Sequence, residues 1–293
     1  MLARSYAAHW QTAGFVRNEF AGLGGIWDCL RSTGTAIVLS GECERRLMRL
    51  SVFATSVLWI SIAGALHYTG GNMDSAAAKD QAQLPTAYAV RFTGKLDSED
   101  FPDRAAWEKA QALRYDHDWQ GQNPDPQRAT EVRLLWTPGT FFIRFHCNYR
   151  TITVFPDSRA DGYRHGMWDR DVAETFLQPP NSPDPMVYTE FEVSPNNMWI
   201  DLAVSHGKIE ELHSGLRRRV VTDEKAKTWT AELSIPIKGL TKQPFDPKQS
   251  WRANFYRIEG ETEPRFYSAW SPTLTPKPSF HVPARFGTLV FQE

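Results

Sequence analysis

Cysteine is scarce: the 293 residues hold three. Cys29 and Cys43 lie upstream of the longest apolar run and Cys147 lies far downstream, so neither a disulfide framework nor a CxxC zinc pattern can be built from them. An excess of one charge sign is lacking too. A formal net charge of −1 gives no reason to expect nucleic acid or an anionic membrane surface as a partner. There is no GxSxG turn, and the eight His show neither HExxH nor a tight ligand spacing, which argues against a serine nucleophile and a transition-metal centre. Helical signals are few: DFPDRAAWEKAQ (100–111) and IPIKGL (235–240) hold a turn or two each. No internal repeat and no low-complexity tract stands out. Aromatics, by contrast, are plentiful at 13%, with 11 Trp, and 19 Pro and 19 Gly are spread along the chain. That mixture suits many short strands and turns.

The N-terminal part reads as an address rather than a fold. Arg45, Arg46 and Arg49 form a positive flank, an apolar run follows from Leu50 to Leu66, and Ala63-Gly64-Ala65 is a small-x-small cleavage pattern. This predicts a signal peptide or membrane anchor over 48–66, beginning at Met48, with 1–47 an upstream or disordered extension and 67–84 a polar linker. Cleaved or retained, the segment leaves the rest of the chain outside: secreted, periplasmic or on the cell surface, with membrane contact only through this segment. No lipobox cysteine follows the run, which argues against a lipoprotein.

From 85 to 293 the pattern has period two. Phe141, Ile143 and Phe145 alternate with Phe142, Arg144 and His146; Val187, Thr189, Phe191 and Val193 with Tyr188, Glu190 and Glu192; Trp229, Ala231, Leu233 and Ile235 with Thr230, Glu232 and Ser234. Further strands are expected at 87–92, 131–137, 171–178, 197–204, 217–223, 251–259 and 286–292. Short alternating runs between turn residues predict one all-β domain, an antiparallel β-sandwich of jelly-roll or immunoglobulin-like type.

One stretch, HGMWDRDVAETFLQP (165–179), sets Trp168 and the carboxylates Asp169, Asp171 and Glu174 at the mouth of a strand. Asp171 and Glu174 are three apart and face opposite sides of a regular strand, a poor start for a catalytic pair. Glu190 and Glu192 share a face, but alternating charges usually mark a solvated strand, and that reading is preferred. Trp136, Trp229 and Trp251 sit inside alternating runs and read as core. Trp168 and Trp270 differ, each lying at a strand end beside turn chemistry. Two flat apolar walls with polar groups between them suit a sugar ring, which stacks its C–H face on indole while its hydroxyls are hydrogen-bonded. Asp- and Asn-rich loops at QNPDPQ (122–127) and PDSRADG (156–162) could hold structural calcium, though such residues are also normal in turns.

Taken in order, several segments resemble the family 9 carbohydrate-binding modules attached to xylanases and other secreted glycoside hydrolases. They are FTGKLDSEDFPDRAAWEKAQAL, TPGTFFIRFHC, MWDRDVAETFLQP, YTEFEVSPNN, TWTAELSIPIKGL, WRANFYRIEG, YSAWSPT and PSFHVPARFGTLVF. The resemblance implies a β-sandwich that clamps the terminal unit of an oligosaccharide or polysaccharide between two Trp side chains. It assigns the clamp to Trp168 and Trp270 and the hydroxyl contacts to Asp169, Glu190, Arg144 and Asn254, with structural calcium in some members. Ala173 departs from the family pattern, which either moves the acidic position to Glu174 or sets the alignment one residue off. The expected function is thus an exported, non-catalytic sugar-binding protein associated with xylan- or cellulose-type catabolism. Three alternatives stand beside it: a haem b electron-transfer sandwich using Met167 with His165 or Met198 with His206, a glycoside hydrolase using Glu190 or Glu174, and a module for protein contacts.

Overall fold

The computed structural model describes residues 83–293. The expected leader at 48–66, the segment 1–47 and nearly all of the linker lie outside the described residues. Strands run as β1 (Thr86–Arg91), β2 (Leu113–Tyr115), β3 (Thr130–Thr137), β4 (Thr140–Asn148), β5 (Val172–Gln178), β6 (Val187–Val193) and β7 (Trp199–Ser205). They continue as β8 (Lys208–Glu211), β9 (Arg217–Asp223), β10 (Thr228–Pro236), β11 (Trp251–Glu259), β12 (Phe266–Ala269) and β13 (Gly287–Gln292). The alternating runs all become strands. β2, β8 and β12 were not expected; β8, with the sequence KIEE, is exposed throughout and carries no alternation to read.

The strands form one sheet in the order β8-β7-β6-β5-β11-β13-β1-β3-β4-β10-β9, with β12 added to β11 and β2 to β3. It curls so that its two halves face each other across a shared core, a β-sandwich. Phe145 of β4 meets Phe255 of β11 edge-on at 6.3 Å between ring centroids, which puts the two halves in contact. Trp136, Trp229 and Trp251 are buried in this core, as their strand patterns require. The expectation of a purely antiparallel sandwich needs one correction: β1 pairs in parallel with both β13 and β3. The first strand slots between the last strand and β3, joining the halves at that seam. The outer strands β8 and β9 expose Lys, Glu and Arg side chains, which discourages edge-to-edge pairing.

Each half also has an outer face. On the first half it is covered by the helix α1 (Arg104–Lys109), whose N-terminus is capped by Asp103 accepting from the Ala106 N–H and whose Trp107 packs on Leu135 and Phe142. On the second half, Val172 and Phe176 of β5, Tyr188 of β6, Ile200, Leu202 and Val204 of β7, and Tyr256 and Ile258 of β11 build a second apolar cluster. That cluster is closed over by Tyr163 and Met167 on one side and by Phe280 and Phe286 on the other.

Candidate functional site

The second outer face holds the candidate site, and strand parity decides what points into it. Along β5, Ala173 and Leu177 belong to the inner core while Val172 and Phe176 face outward, so Glu174 faces outward too. On β6, Phe191 and Val193 point inward and Tyr188 outward, which carries Glu190 and Glu192 outward with it. The β5–β6 register sets Glu174 opposite Glu192 and Phe176 opposite Glu190. Three glutamates therefore crowd one patch, and all are buried: Glu174 is 2% exposed, Glu190 3% and Glu192 0%. The expected solvated strand face is thus wrong. The alternation is real, but the face it presents is roofed by loops rather than open to water.

Above this floor opens a cavity of about 180 Å³ lined by Trp168, Glu174, Glu190, Tyr267, Phe280 and His281, among others. Trp168 is placed by a single turn of 3-10 helix, Met167–Asp169, entered through Gly166 at a φ of 78°. The buried Met167 anchors that turn in the second cluster, Arg265 donates to the Trp168 carbonyl at 2.6 Å, and His165 packs edge-on to the indole at 5.0 Å. Tyr267 stands on β12, its hydroxyl donating to Glu263 at 2.6 Å and Arg265 lying over its ring. Phe280 is stacked on Tyr256 at 4.2 Å. His281 shares a hydrogen bond with the Tyr188 hydroxyl at 2.8 Å.

Burial dominates the electrostatics. Removal from water pushes the Glu190 carboxyl up to about 7. The same cause, reinforced by the neighbouring carboxyls, holds Glu174 and Glu192 well above the ordinary carboxylate range. Burial also lowers His281, which favours its neutral form. Glu174 Oε1, Glu190 Oε2 and both oxygens of Glu192 have no hydrogen-bond partner in the protein. Nearly all buried polar atoms find one, so these oxygens are positioned to meet something else.

The expected site residues divide. Trp168 and Glu190 come together in the cavity, and Glu174 joins them. Asp169 is exposed on the same turn as Trp168, where its charge reaches Glu192. The other three are not there. Trp270 does not line the cavity, so the two-tryptophan clamp is not formed around it. Its backbone N–H donates to the Phe255 carbonyl, extending the β12–β11 register, and its ring packs edge-on to Phe255 at 5.6 Å on the inner core. Gly287 leaves room for the indole: a Cβ there would stand 2.5 Å from Trp270 Cζ3. Asn254 is fully buried and committed to the chain. Its Nδ2 donates to the Ser271 carbonyl, and its Oδ1 accepts from the Phe255 and Ser271 N–H groups. Arg144 lies on the outer face of the first half, paired in register with Glu232, with the core between it and Trp168.

Asp171 and Glu174 do face opposite ways. Asp171 points inward, accepting from Thr153 and the Gly260 N–H at 2.7 Å and lying 3.6 Å from the buried Arg257. The axial pairs of the haem alternative do not converge: Met167 is buried while His165 is outside, and Met198 is buried at the start of β7 while His206, past its end, pairs with Asp184. In the first of the loops expected to hold calcium, acidic oxygens are engaged within the chain. The Asp125 carboxylate is taken by Arg128 and Arg150, and among the described residues no group of three His, Cys, Asp or Glu side chains is placed to hold a metal. Cys147 is a free, buried thiol, pushed up to about 11 by burial.

Tyr267 and His281 were missed from the sequence. For Tyr267 a signal existed: it stands three residues from Trp270, so on a strand the two face opposite ways, and only one could serve this face.

Comparison with known proteins agrees with this architecture. Residues 203–291 match the family model described as carbohydrate-binding family 9. An extracellular protein of Arthroderma benhamiae is 28% identical over 197 residues, spanning 61% of this chain and 85% of that one. Among solved structures, a candidate carbohydrate-binding protein from Bacteroides uniformis superposes with a TM-score of 0.58 at 16% identity, covering 72% of this chain and all of the other. A family 9 carbohydrate-binding module from Caldicellulosiruptor kristjanssonii, solved with cellotriose, superposes with a TM-score of 0.51 at 11% identity, covering 71% and 94% of the two chains. At these identities the structural likeness establishes a shared β-sandwich fold.

Proposed function

We propose that this carbohydrate-binding family 9-like sandwich takes the terminal unit of an oligosaccharide into its outer-face cavity, between Trp168 and Tyr267 and over Glu174 and Glu190. One observation carries the reading: two aromatic walls and two unpartnered carboxyls line one cavity of about 180 Å³. That is below the roughly 300–1,000 Å³ of drug-sized pockets and suits a single ring entering end-on. The walls supply stacking for the C–H faces, and the carboxyls accept from the hydroxyls. Because burial lifts Glu190 to about 7 and also raises Glu174, they can donate as well. The cellotriose bound by the Caldicellulosiruptor module and the family match support a β-glucan or xylan chain end as ligand class. Similarity to an extracellular protein supports export. The same family match supports an association with polysaccharide breakdown.

The test is a tryptophan-fluorescence titration with glucose, cellobiose and xylo-oligosaccharides. Saturable quenching in the micromolar to millimolar range is expected, since each stacking contact is worth only about 1 kcal/mol. A flat response from folded protein contradicts the reading.

A second reading is favoured by one feature. A buried carboxyl raised to about 7 beside a second carboxyl is what a glycoside hydrolase uses as proton donor. It is weakened because hydrolysis also needs an ionised partner, and burial pushes all three glutamates towards the protonated form. Reducing sugar released by the wild type and lost in Glu190→Gln would establish it.

A further inference from the structure

The floor of the cavity is chemically one-sided. Glu174 and Glu190 line it with Glu192 buried beside them, and among the described residues none of the three has an ion-pair partner. The groups that could have neutralised them are engaged elsewhere. The Arg265 guanidinium donates to Glu263 and to the Trp168 carbonyl, so it acts on Glu174 only through space. His281 is held towards its neutral form by burial and is bonded to the Tyr188 hydroxyl. The Tyr256 hydroxyl donates to the Phe280 carbonyl, and that of Tyr267 to Glu263. Asp169, on the rim, adds negative charge.

A neutral sugar brings hydroxyls, each with one proton to donate and no charge. It leaves any ionised carboxylate on this floor uncompensated, which is costly away from water. An ammonium brings three donors and the missing charge together, and the Trp168 indole attracts a cation, whereas the Tyr267 ring already carries the Arg265 guanidinium. Among the described residues no three carboxyls are placed to share one metal ion, and a cavity of about 180 Å³ with an indole wall has room for a cation carried on a ring.

We propose that the preferred ligand of this cavity is an amino sugar, a hexosamine end whose free ammonium lies over Glu174 and Glu190. The proposal rests on the sugar-binding reading and names the ligand class within it. Bringing in the ammonium favours the ionised carboxylates, so binding releases protons and strengthens as pH rises through the range in which Glu190 gives up its own.

The experiment is calorimetric titration of the full chain with glucosamine, glucose, N-acetylglucosamine, ammonium chloride and calcium chloride at acidic and neutral pH. Glucosamine is expected to bind at least about tenfold tighter than glucose or N-acetylglucosamine at neutral pH, the scale of one charge-assisted hydrogen bond. The margin should shrink in acid and in Glu174→Gln, with near-ultraviolet circular dichroism confirming the fold. Should that variant not fold, the wild-type pH dependence of the glucosamine-to-glucose ratio decides alone. Glucose binding as tightly as glucosamine overturns the amino-sugar proposal and leaves the sugar site standing. Silence from every sugar removes both. Ammonium or calcium ions binding as tightly as glucosamine would make this a cation site and overturn the proposal as well.

Discussion

Replacing Glu190 by Gln should make the protein less sensitive to alkali. An unburied glutamate titrates near 4.5, and burial lifts Glu190 to about 7 even though its contact with Glu192 works the other way. Between those values the folded chain holds a proton that the unfolded chain has released. The sign follows from linkage: this contribution is fully present below about 4.5 and is lost as pH rises through about 7. At about 1.36 kcal/mol for each pH unit, the gap from 4.5 to about 7 is worth about 3 kcal/mol. Glu190 is nearly fully buried, so screening by water takes little from that figure. Gln keeps the shape and a hydrogen-bonding head but cannot ionise. Urea unfolding at about pH 5 and about pH 8 should therefore show the wild type losing roughly 3 kcal/mol more than Glu190→Gln on going alkaline. Removing one member of the trio also relieves the other two, which widens the difference. Parallel pH profiles for the two proteins would refute the reasoning, because they would mean that Glu190 titrates as though in water.

Other consequences test neighbouring parts of the structure. Gly287→Ala places a Cβ against Trp270 and the Pro85 carbonyl, and should cost about 1–3 kcal/mol in unfolding free energy without touching the cavity. Asn254→Ala strips the Ser271 N–H and carbonyl of their partners, and should lower stability by roughly 2–3 kcal/mol while ligand affinity in the surviving folded protein is unchanged. Treatment with EDTA should leave the Tm where it was, since the Asp125 carboxylate is already held by Arg128 and Arg150; a clear drop would reveal a metal site the loops do not predict.

Much of the fold was legible because alternation is a local property. The runs around Ile143, Phe191, Leu233 and Phe255 each declare which side is buried, and each became a strand with that side in the core. β8 was not legible, because KIEE is exposed throughout and nothing in it alternates. Nor was the parallel seating of β1 between β13 and β3, since partner choice between distant strands leaves no mark on either. The site was half legible for the same reason. Trp168 and Glu190 belong to it, but whether an outward face is solvated or roofed depends on loops from elsewhere in the chain, and the roof is what turned Glu190 and Glu192 from surface charges into a buried floor. Trp270 lies beside turn residues, which suggests an open strand end, but its packing on Phe255 sends it inward. Asn254 was chosen for its chemistry, and the fold spends that chemistry on its own backbone.

The central claim is that a sugar enters the outer-face cavity against Trp168 and Tyr267 and not a clamp built on Trp270. Calorimetric titration of cellobiose and glucosamine into Trp168→Ala, Tyr267→Ala and Trp270→Ala, each shown to be folded, tests it most directly. The account predicts that the first two variants each lose binding by about fivefold while Trp270→Ala is less stable yet binds as the wild type does. Binding that survives in Trp168→Ala and Tyr267→Ala but disappears in a folded Trp270→Ala would contradict it.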